Sequence, residues 1–225
     1  MYNVTMNDKK KFRKDLFHGA SLYGIHLNET KLSLFETYYN LLLEWNSRIN
    51  LVSERDINRF VEYHLLDSLK VASCLDMFEI NRMMDFGSGA GLPGIPLALA
   101  FPHIETLLVD SRKKRCAFLE AVTTLISSLR AKVVCSRIEN LPDHFNDYFD
   151  IVITRGTVKL DTFFLYSRRF IHSDGYLVSI KGDTIDDEIM KLQNVSDSKF
   201  FNIKKSLPKE VFNVRKGNII TISHK

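Results

Sequence analysis

Between residues 83 and 96 the chain reads Met-Met-Asp-Phe-Gly-Ser-Gly-Ala-Gly-Leu-Pro-Gly-Ile-Pro. An apolar run ends on the carboxylate of Asp85, a glycine-rich turn follows, and an apolar helix begins. Glycines at 87, 89 and 91 let a backbone bend tightly and come close to a ligand, because no Cβ blocks left-handed conformations. The helix start leaves N–H donors aimed at whatever occupies the turn. A strand, turn and helix in this order cradle a nucleotide-like ligand at the carboxyl end of a first parallel strand. The plain alternative is a glycine-rich surface loop.

Spacing separates two cofactors. A dinucleotide fingerprint G-x-G-x-x-G counted from Gly87 needs glycine at position 92, where Leu92 stands, and this weakens a nicotinamide-dependent enzyme. Asp85-x-Gly87-x-Gly89-x-Gly91 is the spacing typical of S-adenosylmethionine (SAM) methyltransferases, with Ser88 in the same turn. Such a turn must admit an amino-acid tail and a ribose. Further on, Leu107-Leu108-Val109-Asp110 is a second apolar run closed by a carboxylate, suited to ribose hydroxyls. A third run ends near Ile138 and Glu139, whose backbone groups can bracket an adenine ring. A fourth, 149–154, delivers Thr154, Arg155 and Gly156 to the lip of the site. Arg155 can clamp a cofactor carboxylate or reach a substrate phosphate; its structural alternative is an ion pair with Asp150 or a neighbouring carboxylate. The fifth run ends at Lys181-Gly182, a second cation near that edge or simply a lysine exposed at a strand end.

The elements that must position these residues follow from periodicity. Strands are expected at 82–86, 105–110, 131–136, 149–154 and 174–181, and helices at 95–101, 112–128, 139–148 in part, and 160–171. That alternation predicts an α/β, Rossmann-like fold, a mostly parallel sheet with helices on both faces. An acidic helix from Thr184 to Leu192 and strand-like runs at 200–207 and 211–222 add an antiparallel edge. Residues 1–80 lack the alternation and form an N-terminal helical cap on a catalytic domain at 81–225. In the cap, 8–24 is a basic amphipathic helix stopped by Gly24. Thr30 caps the next helix, which turns Leu32, Phe35, Tyr39, Leu42 and Leu43 to the core. Residues 45–52 read as a loop anchored by Trp45, and 56–75 as one or two helices carrying Tyr63, His64, Asp67 and Ser68. His64 and Asp67 share a helix face, where they suit either a substrate contact or a hydrogen bond tying cap to sheet.

Composition narrows the class. With 225 residues, 45% hydrophobic and 26% charged, the chain is an ordinary globular protein with a sizeable core. No apolar run approaches the ~18 residues of a membrane span, and no apolar segment follows the basic N-terminus as a secretory signal would. A cytoplasmic protein is expected. Cys74, Cys116 and Cys135 form no C-x-x-C pair, so neither a zinc site nor a disulfide framework is expected. The net charge of +4 permits a polyanionic partner without demanding one. It is concentrated in Lys9-Lys10-Lys11-Phe12-Arg13-Lys14, Arg112-Lys113-Lys114-Arg115 and Arg168-Arg169, each of which would serve equally as a solvated helix face.

Several elements together resemble the glucose-inhibited division protein B family. They are Trp45-Asn46 with Asn50-Leu51, His64-x-x-Asp67-Ser68, Asp85 through Pro96, Asp110-Ser111 with Lys114-Arg115, Phe118-Leu119, Arg137-x-Glu139, Arg155 and Lys181-Gly182. The run Gly-Leu-Pro-Gly-Ile-Pro-Leu at 91–97 and the His-x-x-Asp-Ser element are the specific markers, and the match spans residues 40–182. The resemblance implies a class I SAM-dependent methyltransferase acting on guanine N7 of small-subunit (16S) ribosomal RNA, as RNA or as assembled subunit, without metal or membrane. It implies SAM contacts from Gly87, Leu92, Ile138, Glu139 and Arg155 and a ribose on Asp110, with Asp85, Ser88 and Gly89 completing the turn. Arg48, His64, Asp67 and Lys181 would face RNA. Thr154-Arg155-Gly156 stands where the family usually has Ser-Arg-Ala, and Asn218, near Arg215 and Lys216, where an arginine is common. Because N7 carries a lone pair and no proton, Arg155 is expected to position a reactant, with no acid or base needed. The competing functions are a SAM methyltransferase of a protein or small molecule, and a non-catalytic RNA-binding assembly factor on the same fold.

Overall fold

The computed structural model describes residues 6–182, 185–208, 211, 214 and 216–225. Seven strands form one sheet in the order β3-β2-β1-β4-β5-β7-β6. These are β1 (Arg82–Phe86), β2 (Glu105–Asp110), β3 (Ala131–Cys135), β4 (Phe149–Arg155), β5 (Ile171–Lys181), β6 (Phe201–Ser206) and β7 (Asn218–His224). The first five run parallel, and β7 lies antiparallel between β5 and β6. From β1 the chain moves outward through β2 and β3, then returns to β4 on the other flank of β1. That reversal opens a crevice at the carboxyl ends of β1 and β4, the place where such sheets bind ligands.

Burial on both faces explains the unbroken apolar strand runs. Side chains alternate by two: Met83, Ile151, Ile153, Val178 and Ile180 enter one core, while Met84, Val152 and Leu177 enter the other. The second core is closed by α7 (Leu160–Ser167), α8 (Asp186–Gln193) and Phe201. The first is closed by α5 (Gly94–Ala100), α6 (Lys113–Leu125) and the helical front of the chain.

That front comprises α1 (Met6–Leu22), α2 (Glu29–Asn46), α3 (Glu54–Ile57) and one longer helical stretch. The stretch opens as a π-helical turn (Val61–Leu65), continues as α4 (Leu66–Leu69) and tightens to a 3₁₀ turn (Lys70–Ser73). Leu16, Phe35, Tyr38, Phe60 and Leu69 pack into the same cluster as Phe118 of α6 and Ile151 of β4. The cap is therefore part of the sheet's own core. The boundary expected at residue 80 falls just before β1 begins. Among the described residues no helix is long and apolar enough to cross a membrane.

Several boundaries differ from the expectations, each for a local reason. Asn28, two residues before Thr30, caps α2: its Oδ1 accepts the Lys31 N–H at 2.9 Å. Trp45 and Asn46 belong to α2, and the loop starts one residue later. Asn46 ends the helix because its Oδ1 accepts the N–H groups of Leu51 (2.8 Å) and Val52 (2.9 Å) as the chain doubles back. Tyr38 takes the fully buried place, and Tyr39 lies partly buried between the rings of Phe12 and Phe60 at 5.1 and 5.0 Å. The helix expected within 139–148 is reduced to two 3₁₀ turns, Ile138–Asn140 and Asp143–Phe145, with Pro142 between them. α7 gives way to a 3₁₀ turn at Arg168–Phe170, and β5 begins at Ile171, ahead of the expected 174. Thr184 and Arg215 lie outside the described residues. The last strand starts at Asn218, later than the expected 211.

One buried hydrogen bond joins the cap to the glycine turn: Tyr38 Oη donates to the Ala90 carbonyl at 2.6 Å. Tyr38→Phe should keep the packing but strip that carbonyl of its donor, lowering stability by about 1–2 kcal/mol. Urea unfolding checks this, and an unchanged midpoint would show the bond to be dispensable.

Candidate cofactor and substrate site

The glycine turn begins where β1 runs out. Gly87, Gly89 and Gly91 take φ of 73°, 59° and 85°, the left-handed region that L side chains rarely adopt. A Cβ on Gly87 would also collide with Thr157, just beyond β4. The turn is held along its length. Gly87 and Ser88 donate their N–H groups to Val109 O at 2.8 and 3.0 Å, and the Ser88 hydroxyl donates to Asp85 O at 2.9 Å. The Asp110 carboxylate reaches in from β2: Oδ2 accepts the Gly89 N–H at 2.9 Å and Oδ1 the Arg112 N–H at 2.8 Å. Arg115 supports the same carboxylate at 3.5 Å.

Asp85 anchors the other side. It is fully buried, and its Oδ2 accepts the N–H of Gly94, the first residue of α5, at 3.0 Å. A Cβ on Gly94 would stand 2.7 Å from that oxygen, so the close approach requires glycine. The second oxygen, Oδ1, is buried without a hydrogen-bond partner. Burial pushes this carboxyl up to about pKa 7, against the opposing pull of the Gly94 N–H and Arg155. A buried acid with one unsatisfied oxygen suits a ligand that brings its own donors or positive charge. SAM, with its ammonium and sulfonium groups, is such a ligand, and the glycine turn leaves its tail the room that side chains would fill.

Across the crevice, Thr154 Oγ1 donates to Phe86 O at 2.8 Å and locks the end of β4 to the end of β1. Arg155 follows and turns toward the cap. Its Nη1 donates to Tyr63 O (3.1 Å) and to Asp67 Oδ2 (3.2 Å), and its Nη2 lies 2.9 Å from His64 Nδ1. A guanidinium only donates, so Nδ1 accepts and a neutral His64 carries its proton on Nε2. Lys70 completes the group, with Nζ 2.6 Å from Asp67 Oδ1. The ion pair named for Arg155 is thus with Asp67. Asp150 sits at the opposite end of β4, roughly 16 Å away at strand rise. There it accepts the N–H groups of Asn81 and Arg82 and pairs with His172, each at 2.7 Å.

The remaining candidates are placed unevenly. Asp85, Gly87, Ser88, Gly89 and Asp110 meet in one turn, with Arg155 across the crevice. Leu92 is buried in the core, so a ligand could meet it only through the main chain. Ile138 and Glu139 lie on the 3₁₀ turn after β3, the first buried and the second exposed. His64 and Asp67 are both buried, and the Asp67 oxygens face Lys70 and Arg155. Lys181 is also committed: its Nζ donates to Val158 O (2.6 Å) and to Glu188 Oε2 (2.9 Å), which also accepts the Leu160 N–H starting α7. Asn218 Nδ2 donates to Gly182 O at 2.9 Å and holds the exit of β5. Arg48 is exposed and loosely paired with Glu44 at 3.3 Å. Sequence reasoning missed Tyr38, Lys70 and Thr157. Lys70 was open to discovery, three residues from Asp67 on one helix face; Thr157 meets the turn only through folding. Among the described residues no group of three or more His, Cys, Asp or Glu side chains could hold a metal ion.

Asp85 makes stability depend on pH in the ligand-free protein. The folded state keeps a proton up to about pH 7 that the unfolded chain releases near 3.8. The stability tied to this proton is full below about pH 4 and is lost as pH rises to about 7. Asp85→Asn keeps an acceptor for Gly94 and removes the titration. Relative to that variant, the wild type should lose up to about 1.4 kcal/mol per pH unit across this window. Urea midpoints measured from pH 5 to 8 check it, and parallel curves would refute it.

With this geometry in place, comparison with known proteins is direct. A family model described as rRNA small subunit methyltransferase G matches residues 31–210. Ribosomal RNA small subunit methyltransferase G of Thermoanaerobacter pseudethanolicus is 35% identical over 187 residues, covering 82% of this chain and 78% of the relative. Its namesake in Chlorobaculum tepidum is 35% identical over 167 residues, covering 74% and 76%. Among solved structures, a precorrin-6y C5,15-methyltransferase from Geobacter metallireducens superposes with a TM-score of 0.52 at 14% identity, over 71% of this chain and 87% of that one. A SAM-dependent O-methyltransferase from Thermotoga maritima does so with a TM-score of 0.52 at 16% identity, over 70% and 64%. The structural likeness speaks for the fold alone, and the sequence relatives speak for the family. This chain belongs to the rRNA small subunit methyltransferase G family, a SAM-dependent methyltransferase on a Rossmann-like sheet.

Proposed function

We propose that this protein transfers a methyl group from SAM to N7 of a guanine in small-subunit (16S) ribosomal RNA, in the cytoplasm. The observation that carries the transferase reading is the glycine turn fixed between Asp85 and Asp110 at the point of strand reversal. The RNA reading draws on family membership and on the clustered surface cations.

Bound SAM supplies an electrophilic methyl on a sulfonium. Gly87, Ser88, Gly89 and the main chain of Leu92 would surround its amino-acid tail beside Asp85. Asp110 would take the ribose: each oxygen already accepts one N–H and keeps a further lone pair. Main-chain groups of Ile138 and Glu139 would flank the adenine. Guanine N7 needs no base to expose it, so the protein's task is to hold the ring near attack distance and in line with the methyl. A fixed polar wall then shapes the charge shift. Arg155 serves as that wall's positioning group, because three acceptors from the cap fix its guanidinium at the crevice. His64 and Asp67 act through Arg155. The major groove of duplex RNA is too narrow for side chains to reach N7, so the target base is looped out or extruded.

Two measurements bear on this. Mapping of ribosomal RNA from cells lacking the protein, by primer extension or mass spectrometry, should show one missing N7-methylguanine; survival of every such mark sinks the assignment. Arg155→Ala should lower methyl transfer at least about tenfold, ~1.4 kcal/mol of barrier. Arg155→Lys should rescue it poorly, because a point charge cannot reach three acceptors as a planar fork does. Unchanged turnover in a folded Ala variant would remove Arg155 from the site.

A further inference from the structure

We propose that a groove beside the cofactor turn, between the Arg48–Leu51 turn and the first turn of α6, seats the sugar–phosphate backbone of the substrate RNA next to the target guanosine. This rests on the RNA-methylating reading above and extends it to a surface. The groove encloses about 390 Å³, with Arg48 and Asn50 on one wall and Arg112, Lys113, Lys114 and Arg115 on the other.

The groove gathers five cations on two walls beside the cofactor turn. Several buried or half-buried cations elsewhere are matched: Arg13 with Glu29 and Glu36, Lys70 with Asp67, Lys181 with Glu188 and Arg168 with Asp197. In the groove, Arg48 meets only Glu44, at 3.3 Å on an open surface, and Arg115 meets Asp110 at 3.5 Å. Arg112, Lys113 and Lys114 are exposed and have no carboxylate partner among the described residues. Folding does not call for cations there. The first turn of a helix favours acidic side chains, and α6 has none in its first turn. Like charges gathered on two facing walls repel one another unless a polyanion lies between them.

Position identifies the polyanion. Arg115 belongs both to the groove and to the cofactor turn: its guanidinium supports Asp110 and lies 3.6 Å from where a Cβ on Gly89 would stand. A strand lying in the groove therefore passes the carboxyl ends of β1 and β2, where the methyl donor binds. Asn50 adds an amide that can donate to phosphate or pair with a sugar hydroxyl, while the half-buried Ile49 and Leu51 give the turn an apolar side for a ribose. Exposed cations spread over two walls hold one small anion weakly but grip a chain of phosphates through the counterions it releases.

The test uses the full-length protein with Arg112, Lys113 and Lys114 changed together, once to Ala and once to Glu. SAM affinity by calorimetry should stay within about twofold, and the Tm of the Glu variant should be equal to or above that of the wild type, since acids suit a helix start. KM for the 16S RNA or small-subunit particle should rise at least tenfold with kcat little changed. For the Ala variant, the slope of log affinity against log salt should become shallower by about 2, at roughly 0.7 per lost single-strand phosphate contact. Wild-type KM and an unchanged salt slope would overturn the groove. So would competition by polyglutamate as strong as that by polyuridylate, which would assign it to an acidic protein. If the wild type methylates no ribosomal RNA, the proposed function fails separately. Direct binding of a labelled 16S fragment then decides the groove, and equal binding by wild type and variants would overturn it.

Discussion

A glycine-rich turn holds its shape here because two carboxylates grip it from opposite ends. Asp110 takes the Gly89 N–H from the neighbouring strand, and Asp85 takes the Gly94 N–H from beneath. Ordering three left-handed glycines is costly, since glycine loses the most conformational freedom on folding. Both acids sit at the carboxyl ends of adjacent parallel strands, so the sheet itself fixes their separation. The two acids are in unlike states. Asp110 is satisfied by backbone donors, whereas Asp85 is sealed in the core with one oxygen unpaired and a raised pKa. The turn is thus held by the protein's own backbone donors, with one oxygen of Asp85 left unpaired in the core.

The helical front of the chain meets the same crevice at the glycine turn and at Arg155. Its contact with the sheet is largely apolar, but its register is set by a polar group: Arg155 from β4 against Asp67, His64 and the Tyr63 carbonyl. Asp67 lies between two basic side chains, Arg155 and Lys70. A buried pair of this kind adds little net stability over an apolar contact, yet losing one partner is costly. Its effect is geometric. It fixes the guanidinium at the carboxyl end of β4 and ties it to the π-helical turn.

The comparison between sequence and structure divides along the range of the interactions. Asp85, the three glycines and Asp110 were legible because strand, turn and helix follow one another within a few residues, and each leaves its own pattern. The α/β alternation and the antiparallel edge were legible for the same reason. Helical spacing places Tyr39 on the core face, but it tolerates a shift of one residue, and only the packed neighbours give the fully buried place to Tyr38. The loop expected at 45–52 began at its second polar residue, because Asn46 finds its donors five and six residues later.

Residue order by itself determined the class of cofactor turn, the sheet that carries it and the family to which the chain belongs. These are local patterns and periodicities, which survive being read in one dimension. Tertiary structure decided the partners of the charged residues. It paired Arg155 with Asp67 and withheld Asp150, it committed Lys181 to Glu188, and it left Arg112, Lys113 and Lys114 without carboxylate partners on one wall of a groove. An ion pair depends on which surfaces meet after the chain has crossed from strand to strand, and no spacing along the sequence records that distance.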